Sequence, residues 1–121
     1  MAEILVVDDD SSFLEECRLL LESSGFSVRC APNGKKGLDL VRQRIPDLIV
    51  ADLEMPEMDG LSFLMHARKE FPNLRVIVIS GHTMADTFLK TAQKLGAQFT
   101  MTKPFDPQEF MRRVKFLVDG I

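Results

Sequence analysis

The chain has 121 residues, of which 45% are apolar, enough for one domain with a single buried core. Against 18 Asp and Glu stand 15 Lys and Arg, giving a net charge of −3 without a basic block, which argues against nucleic-acid binding by this domain. No apolar run approaches the roughly 20 residues of a membrane-spanning helix, and Cys17 and Cys30 match neither a redox pair nor a zinc pattern. The expectation is a soluble, cytoplasmic protein with buried, reduced thiols.

In chain order, short apolar runs alternate with segments of helical period. Ile4–Val7 reads as a strand, followed by a helix over Phe13–Ser23 with Ser12 and Glu15 as a capping box; Leu14, Cys17 and Leu21 share one face, and Gly25 closes the end. Val28–Cys30 and Lys35–Arg44 form the next strand and helix, then Leu48–Ala51 and Leu61–Glu70, then Val76–Ile79 and Ala85–Leu95. Phe99–Met101 is the fifth strand. In the last helix, Pro107–Val118, proline suits the first turn, and Phe110, Val114 and Leu117 form an apolar stripe.

Strict alternation of strand and helix predicts a parallel sheet with helices on both faces and right-handed crossovers. Five strands in so short a chain fit the flavodoxin-like doubly wound α/β class, (βα)5 with strand order 2-1-3-4-5, as one domain over residues 1–121. In that order the crevice lies beyond the carboxyl ends of the first and third strands. Asp8 and Asp9 end one and Asp52 ends the other.

Two carboxylates about 4 Å apart repel by roughly 4 kcal/mol at an effective dielectric near 20, so the cluster should raise a pKa or recruit a cation. Carboxylate and backbone oxygens in a shallow crevice suit Mg²⁺, which keeps several waters and pairs with phosphate. Taken singly, Asp9, Asp10 and Ser11 could equally start a helix. Ser80 ends the fourth strand and Lys103 the fifth, placing a hydroxyl and an ammonium beside the same crevice. Such a set suits the oxygens of a phosphoryl group, with Asp52, alone on its strand, as nucleophile and an aspartyl phosphate as product.

The segments ILVVDDD, LIVADLEMPEMDG, VIVISG and TKPF, in this order and spanning nearly the whole chain, resemble the receiver domain of bacterial two-component response regulators. The resemblance implies that Asp8, Asp9 and Asp52 hold Mg²⁺ with the backbone carbonyl of Glu54. It makes Asp52 the acceptor, Ser80 the hydroxyl that turns towards the phosphoryl group, and Lys103 its ion-pair partner. It further implies a cis peptide before Pro104, a histidine kinase or phosphotransfer protein as donor, and positions Glu54 and His82 as those that tune phosphoryl lifetime. The signal would be read by an output domain or partner protein through the fourth helix, fifth strand and fifth helix; a homodimer is left open. No direct role at nucleic acid or membrane is implied, and the domain would catalyse only its own phosphorylation and dephosphorylation.

One departure stands out. Family members often carry Tyr or Phe three residues before the lysine, where this chain has Thr100, and strand alternation puts Phe99 on the opposite face. Gly60 is expected to serve a turn through backbone angles other residues avoid. Met55, Met58, Met65, Met84, Met101 and Met111 are expected to fill the core or coat a partner surface, and Lys35, Lys36, Arg112 and Arg113 to be solvated charge. Two other classes share some of these features. A haloacid dehalogenase-type phosphatase would need Asp where Glu54 stands and a longer chain for its cap. A flavin binder would want a Ser/Thr/Gly-rich loop where DDDSS stands.

Overall fold

In a computed structural model, residues 2–53, 60–81 and 86–120 are described, residues 86–89 by their backbone alone. The elements alternate as expected: β1 (Glu3–Val7), α1 (Ser11–Ser23), β2 (Ser27–Ala31), α2 (Gly34–Gln43), β3 (Leu48–Asp52), α3 (Gly60–Glu70), β4 (Val76–Gly81), α4 (Asp86–Lys94), β5 (Phe99–Lys103) and α5 (Pro107–Asp119). All pairings are parallel and the order is β2-β1-β3-β4-β5. The doubly wound reading therefore holds, with ends differing by one or two residues.

Alternation divides the sheet between two cores. Leu5, Val7, Ile49, Ala51, Val76 and Val78 pack with α2 and α3 through Leu38, Val41, Phe63 and Leu64. On the other face Ile4, Val6, Leu48, Val50, Ile77, Ile79 and Met101 meet α1 and α5 through Cys17, Leu21, Phe110, Val114 and Leu117. Burial on both faces explains why β1, β3 and β4 read as unbroken aliphatic runs.

Several local expectations change. Asp10, not Ser12, caps α1: its side chain accepts from the backbone N–H groups of Ser12 and Phe13, while Glu15 turns outward to pair with Arg18 at 2.6 Å. Asp10 precedes the helix by one residue, the position from which a short carboxylate reaches the unpaired amides. Gly25 does end α1, at φ 92°, with its N–H on the Glu22 carbonyl and that of Phe26 on Leu21.

Gly60 adopts no positive φ; a Cβ there would lie 2.1 Å from the Asp52 carbonyl oxygen, so close approach and not turn geometry demands glycine. Cys17 is buried and Cys30 half-buried, both as free thiols. Met101 and Met111 are core and Met65 is exposed, whereas Met55, Met58 and Met84 lie outside the described residues. Lys35, Lys36 and Arg112 are exposed, but Arg113 lies 4.9 Å over the Phe99 ring and pairs with Glu109.

Arg68 on α3 does structural work that the sequence does not announce. Its guanidinium donates to the carbonyls of Pro72, Leu74, Leu95 and Gly96 at 2.5 to 3.3 Å, joining the α3–β4 and α4–β5 turns.

Candidate functional site

The register brings the strand ends level. Val7 pairs with Ala51, Asp52 with Ile79, Ser80 with Thr102 and Gly81 with Lys103, so the residues after them gather at the carboxyl edge of the sheet. Asp8, Asp9 and Asp52 each present a carboxylate oxygen within 4.8 Å of the others. Asp8 and Asp52 are buried, Asp9 exposed.

The Asp8 carboxylate is held from two sides: Oδ1 accepts from the Asp10 backbone N–H at 2.9 Å and Oδ2 from Lys103 Nζ at 2.7 Å. Lys103 Nζ is also 3.8 Å from Asp52 Oδ2 and 3.9 Å from the centroid of the Phe13 ring. Partial burial works against the charge of Lys103, but the hydrogen bond and charge of Asp8, followed by the charge of Asp52, hold its pKa above the ordinary lysine value. At neutral pH it is therefore a cation, paired with the Asp8 and Asp52 carboxylates.

Ser80 stands apart from this set. Its Oγ is fully buried and has no hydrogen-bond partner among the described residues. Alternation places its side chain on the sheet face of Val76 and Val78, while Asp52 and Lys103 follow the face of Ile79 and Met101. A buried hydroxyl without a partner costs free energy.

The donor set fits a hard divalent cation: three carboxylate oxygens lie close enough to share one ion, and the Lys103 ammonium alone among the described residues does not neutralise them. Glu54 and His82, expected to supply a carbonyl ligand and to tune lifetime, lie outside the described residues. The peptide between Lys103 and Pro104 is cis, as the resemblance implied. Phe99 and Thr100 occupy opposite faces, Phe99 meeting Phe116 edge-to-face with centroids 6.1 Å apart, so it does not take the place of the family aromatic. Phe13 is the contact that sequence reasoning missed; its place in α1 shows an apolar residue, not a partner for a lysine ninety positions away.

Comparison with known proteins agrees with this geometry. The family model described as the response regulator receiver domain matches residues 4–115, and the chain belongs to that family. It is 36% identical over 115 residues to the cell cycle transcriptional regulator CtrA of Caulobacter vibrioides, covering 95% of this chain and 49% of that one. It is 37% identical over 116 residues to an uncharacterized 14.6 kDa protein of Leptolyngbya boryana, covering 93% and 87%. The chain thus spans about half the length of CtrA, and 23% of the transcriptional regulatory protein ZraR of Klebsiella oxytoca.

Among solved structures, a response regulator receiver domain protein from Clostridium thermocellum superposes with a TM-score of 0.91 at 30% identity, covering 99% of this chain and 96% of that one. A CheY-like receiver domain protein from Methanospirillum hungatei gives 0.92 at 27%, covering 99% and 95%. The chain is a receiver domain of two-component response regulators, a signalling domain whose family accepts phosphoryl groups. The phosphatase and flavin-binding alternatives give way to this assignment. Among the described residues no helix is long and apolar enough to cross a membrane.

Proposed function

We propose that the whole chain, residues 1–121, is one receiver domain in which Asp52 is the phosphoryl acceptor, with Mg²⁺ held by Asp8, Asp9 and Asp52 and by the backbone carbonyl of Glu54. The observation that carries this reading is the convergence of three carboxylates within 4.8 Å around a lysine that touches two of them. Bound there, a divalent ion would offset the charge of the carboxylates and of an incoming phosphoryl group. An Asp52 carboxylate oxygen forms the new bond to phosphorus while the donor's P–N or P–O bond breaks and its electron pair leaves with the donor. Lys103 exchanges Asp8 for a phosphoryl oxygen, and Ser80 gains the acceptor that its hydroxyl lacks.

The donor in this reading is a histidine kinase or phosphotransfer protein in the cytoplasm, and the domain acts on no substrate beyond its own phosphoryl group. Drawing Ser80 inward shifts the face formed by α4, β5 and α5, which an output domain, partner protein or second copy then reads. Thr100 beside that switch leaves the shift to the backbone and the Ser80 hydroxyl.

Intact mass after incubation with acetyl phosphate and Mg²⁺ tests the proposal. The native chain should gain one phosphoryl group and Asp52→Ala none; an equal gain in the variant overturns the assignment.

A further inference from the structure

A lysine ammonium rides on a flexible four-carbon stem, and nothing in a lysine's chemistry keeps it at one place in a crevice open to water. Lys103 retains 25% of its side-chain exposure. Besides Asp8 and Asp52, one described group holds it: the face of Phe13, 3.9 Å from ring centroid to Nζ.

That ring is itself braced. Phe105 meets it edge-on with centroids 5.9 Å apart, and Phe110, fully buried, holds Phe105 at 5.0 Å. The Asp10 cap fixes the first turn of α1 by accepting the Phe13 backbone N–H at 3.3 Å. Phe13 packs against the core between α1 and α5, yet it stays half-exposed and lines a groove of about 830 Å³ with Leu19, Leu20 and Phe105.

We propose that Phe13 is a positioning residue for Lys103: its ring face keeps the ammonium over the junction of Asp8 and Asp52 without competing for the N–H donors. A carboxylate in that role would attract the lysine away from an incoming phosphoryl group and repel the group itself. A π face attracts the cation through its quadrupole and carries no net charge, so the lysine can change anion partners without leaving the crevice. The proposal rests on Asp52 as acceptor, and its test separates the two claims.

Phe13→Leu keeps apolar bulk and removes the π face, and Phe13→Tyr restores it. Without any phosphodonor, the side-chain methylene protons of Lys103 next to Nζ, assigned by their loss in Lys103→Met, should show an upfield ring-current shift in the native chain and in Phe13→Tyr. In Phe13→Leu the shift should collapse towards that of an ordinary lysine. With acetyl phosphate and Mg²⁺, the maximal phosphorylation rate should fall between about twofold and thirtyfold in Phe13→Leu, the range of a cation–π contact. Phe13→Tyr should recover the rate, and half-saturating Mg²⁺ should be unchanged in both.

An unchanged lysine shift in Phe13→Leu, an unchanged rate, or failure of Phe13→Tyr to restore either overturns the proposal. Phe13→Met supplies a second apolar replacement should Phe13→Leu not fold. If even the native chain takes up no phosphoryl group, it is the acceptor reading that fails, and the lysine shift still decides the contact.

Discussion

Ser80 and Cys17 are two buried polar groups that the fold treats differently. The Ser80 hydroxyl lacks a partner among the described residues. Removing it in Ser80→Ala should leave stability unchanged or raise it by about 1 kcal/mol in urea denaturation, since the desolvation cost of a lone hydroxyl disappears. If Ser80 serves the phosphoryl group as proposed, the same variant should be phosphorylated more slowly by acetyl phosphate. A loss of stability above about 1 kcal/mol would mean that the hydroxyl already has a partner.

Cys17 is served by staying neutral. Burial, then the negative charge of Asp8, pushes its thiol pKa up to about 12 from 9.0. The folded chain therefore holds a proton that the unfolded chain releases above about pH 9, so stability falls as pH rises from there. Lys103, with its pKa held above 10.5, adds to the loss at higher pH, because its favourable charge disappears on deprotonation. Urea titrations at about pH 8 and about pH 11 should show this decline, and a shallower one in Cys17→Ala.

Among the elements, α3 has the tightest relation to the site. It begins at Gly60, where a Cβ would lie 2.1 Å from the Asp52 carbonyl oxygen, 2.5 Å from Leu53 Cα and 2.8 Å from the Asp52 carbonyl carbon. All three are backbone atoms and cannot swing aside. Gly60→Ala should therefore cost at least about 1–3 kcal/mol, the usual cost of overpacking, and lower the phosphorylation rate by moving the strand that carries Asp52, the proposed acceptor. Thermal melting and the acetyl phosphate assay would check both. At its other end α3 carries Arg68, and Arg68→Met strands four carbonyls at once. A loss of about 2 kcal/mol or more in urea denaturation is expected, given that hydrogen bonds to charged groups contribute about 1.5–3 kcal/mol each.

These two ends of α3 also show where sequence reading reaches its limit. Aliphatic runs gave β1, β3 and β4, because a strand buried on both faces leaves a one-dimensional signature. Gly60 was visible as a glycine, yet its reason, the backbone of β3 passing beneath it, is a relation between elements. The cap of α1 was misplaced by two residues because Asp10 and Ser12 are both good caps and their competition is settled by chain entry from Asp8. Arg68 and Phe13 could not be read at all, since carbonyls and a ring face carry no residue-type signal for their partners.

For the whole molecule, the strand order made the site legible before its details. Once β1 and β3 are neighbours, Asp8 and Asp52 must meet, and Lys103 follows from the parallel register of β5. What that order could not fix was on which face of the sheet each side chain leaves, and there Ser80 parts from the carboxylates.

The same convergence ties ion binding to folding itself. Asp8, just after β1, and Asp52 and Lys103, at the ends of β3 and β5, are separated by 44 to 95 positions along the chain, so the cluster has no counterpart in the unfolded state. A cation that recognises the cluster binds the native form alone and shifts the folding equilibrium by mass action, by about 2.7 kcal/mol at a hundredfold excess over its dissociation constant. Mg²⁺ should raise the melting temperature of the native chain in a saturable way and that of Asp8→Ala much less. The receiver's readiness to accept a phosphoryl group and its resistance to unfolding then respond to the same ion concentration.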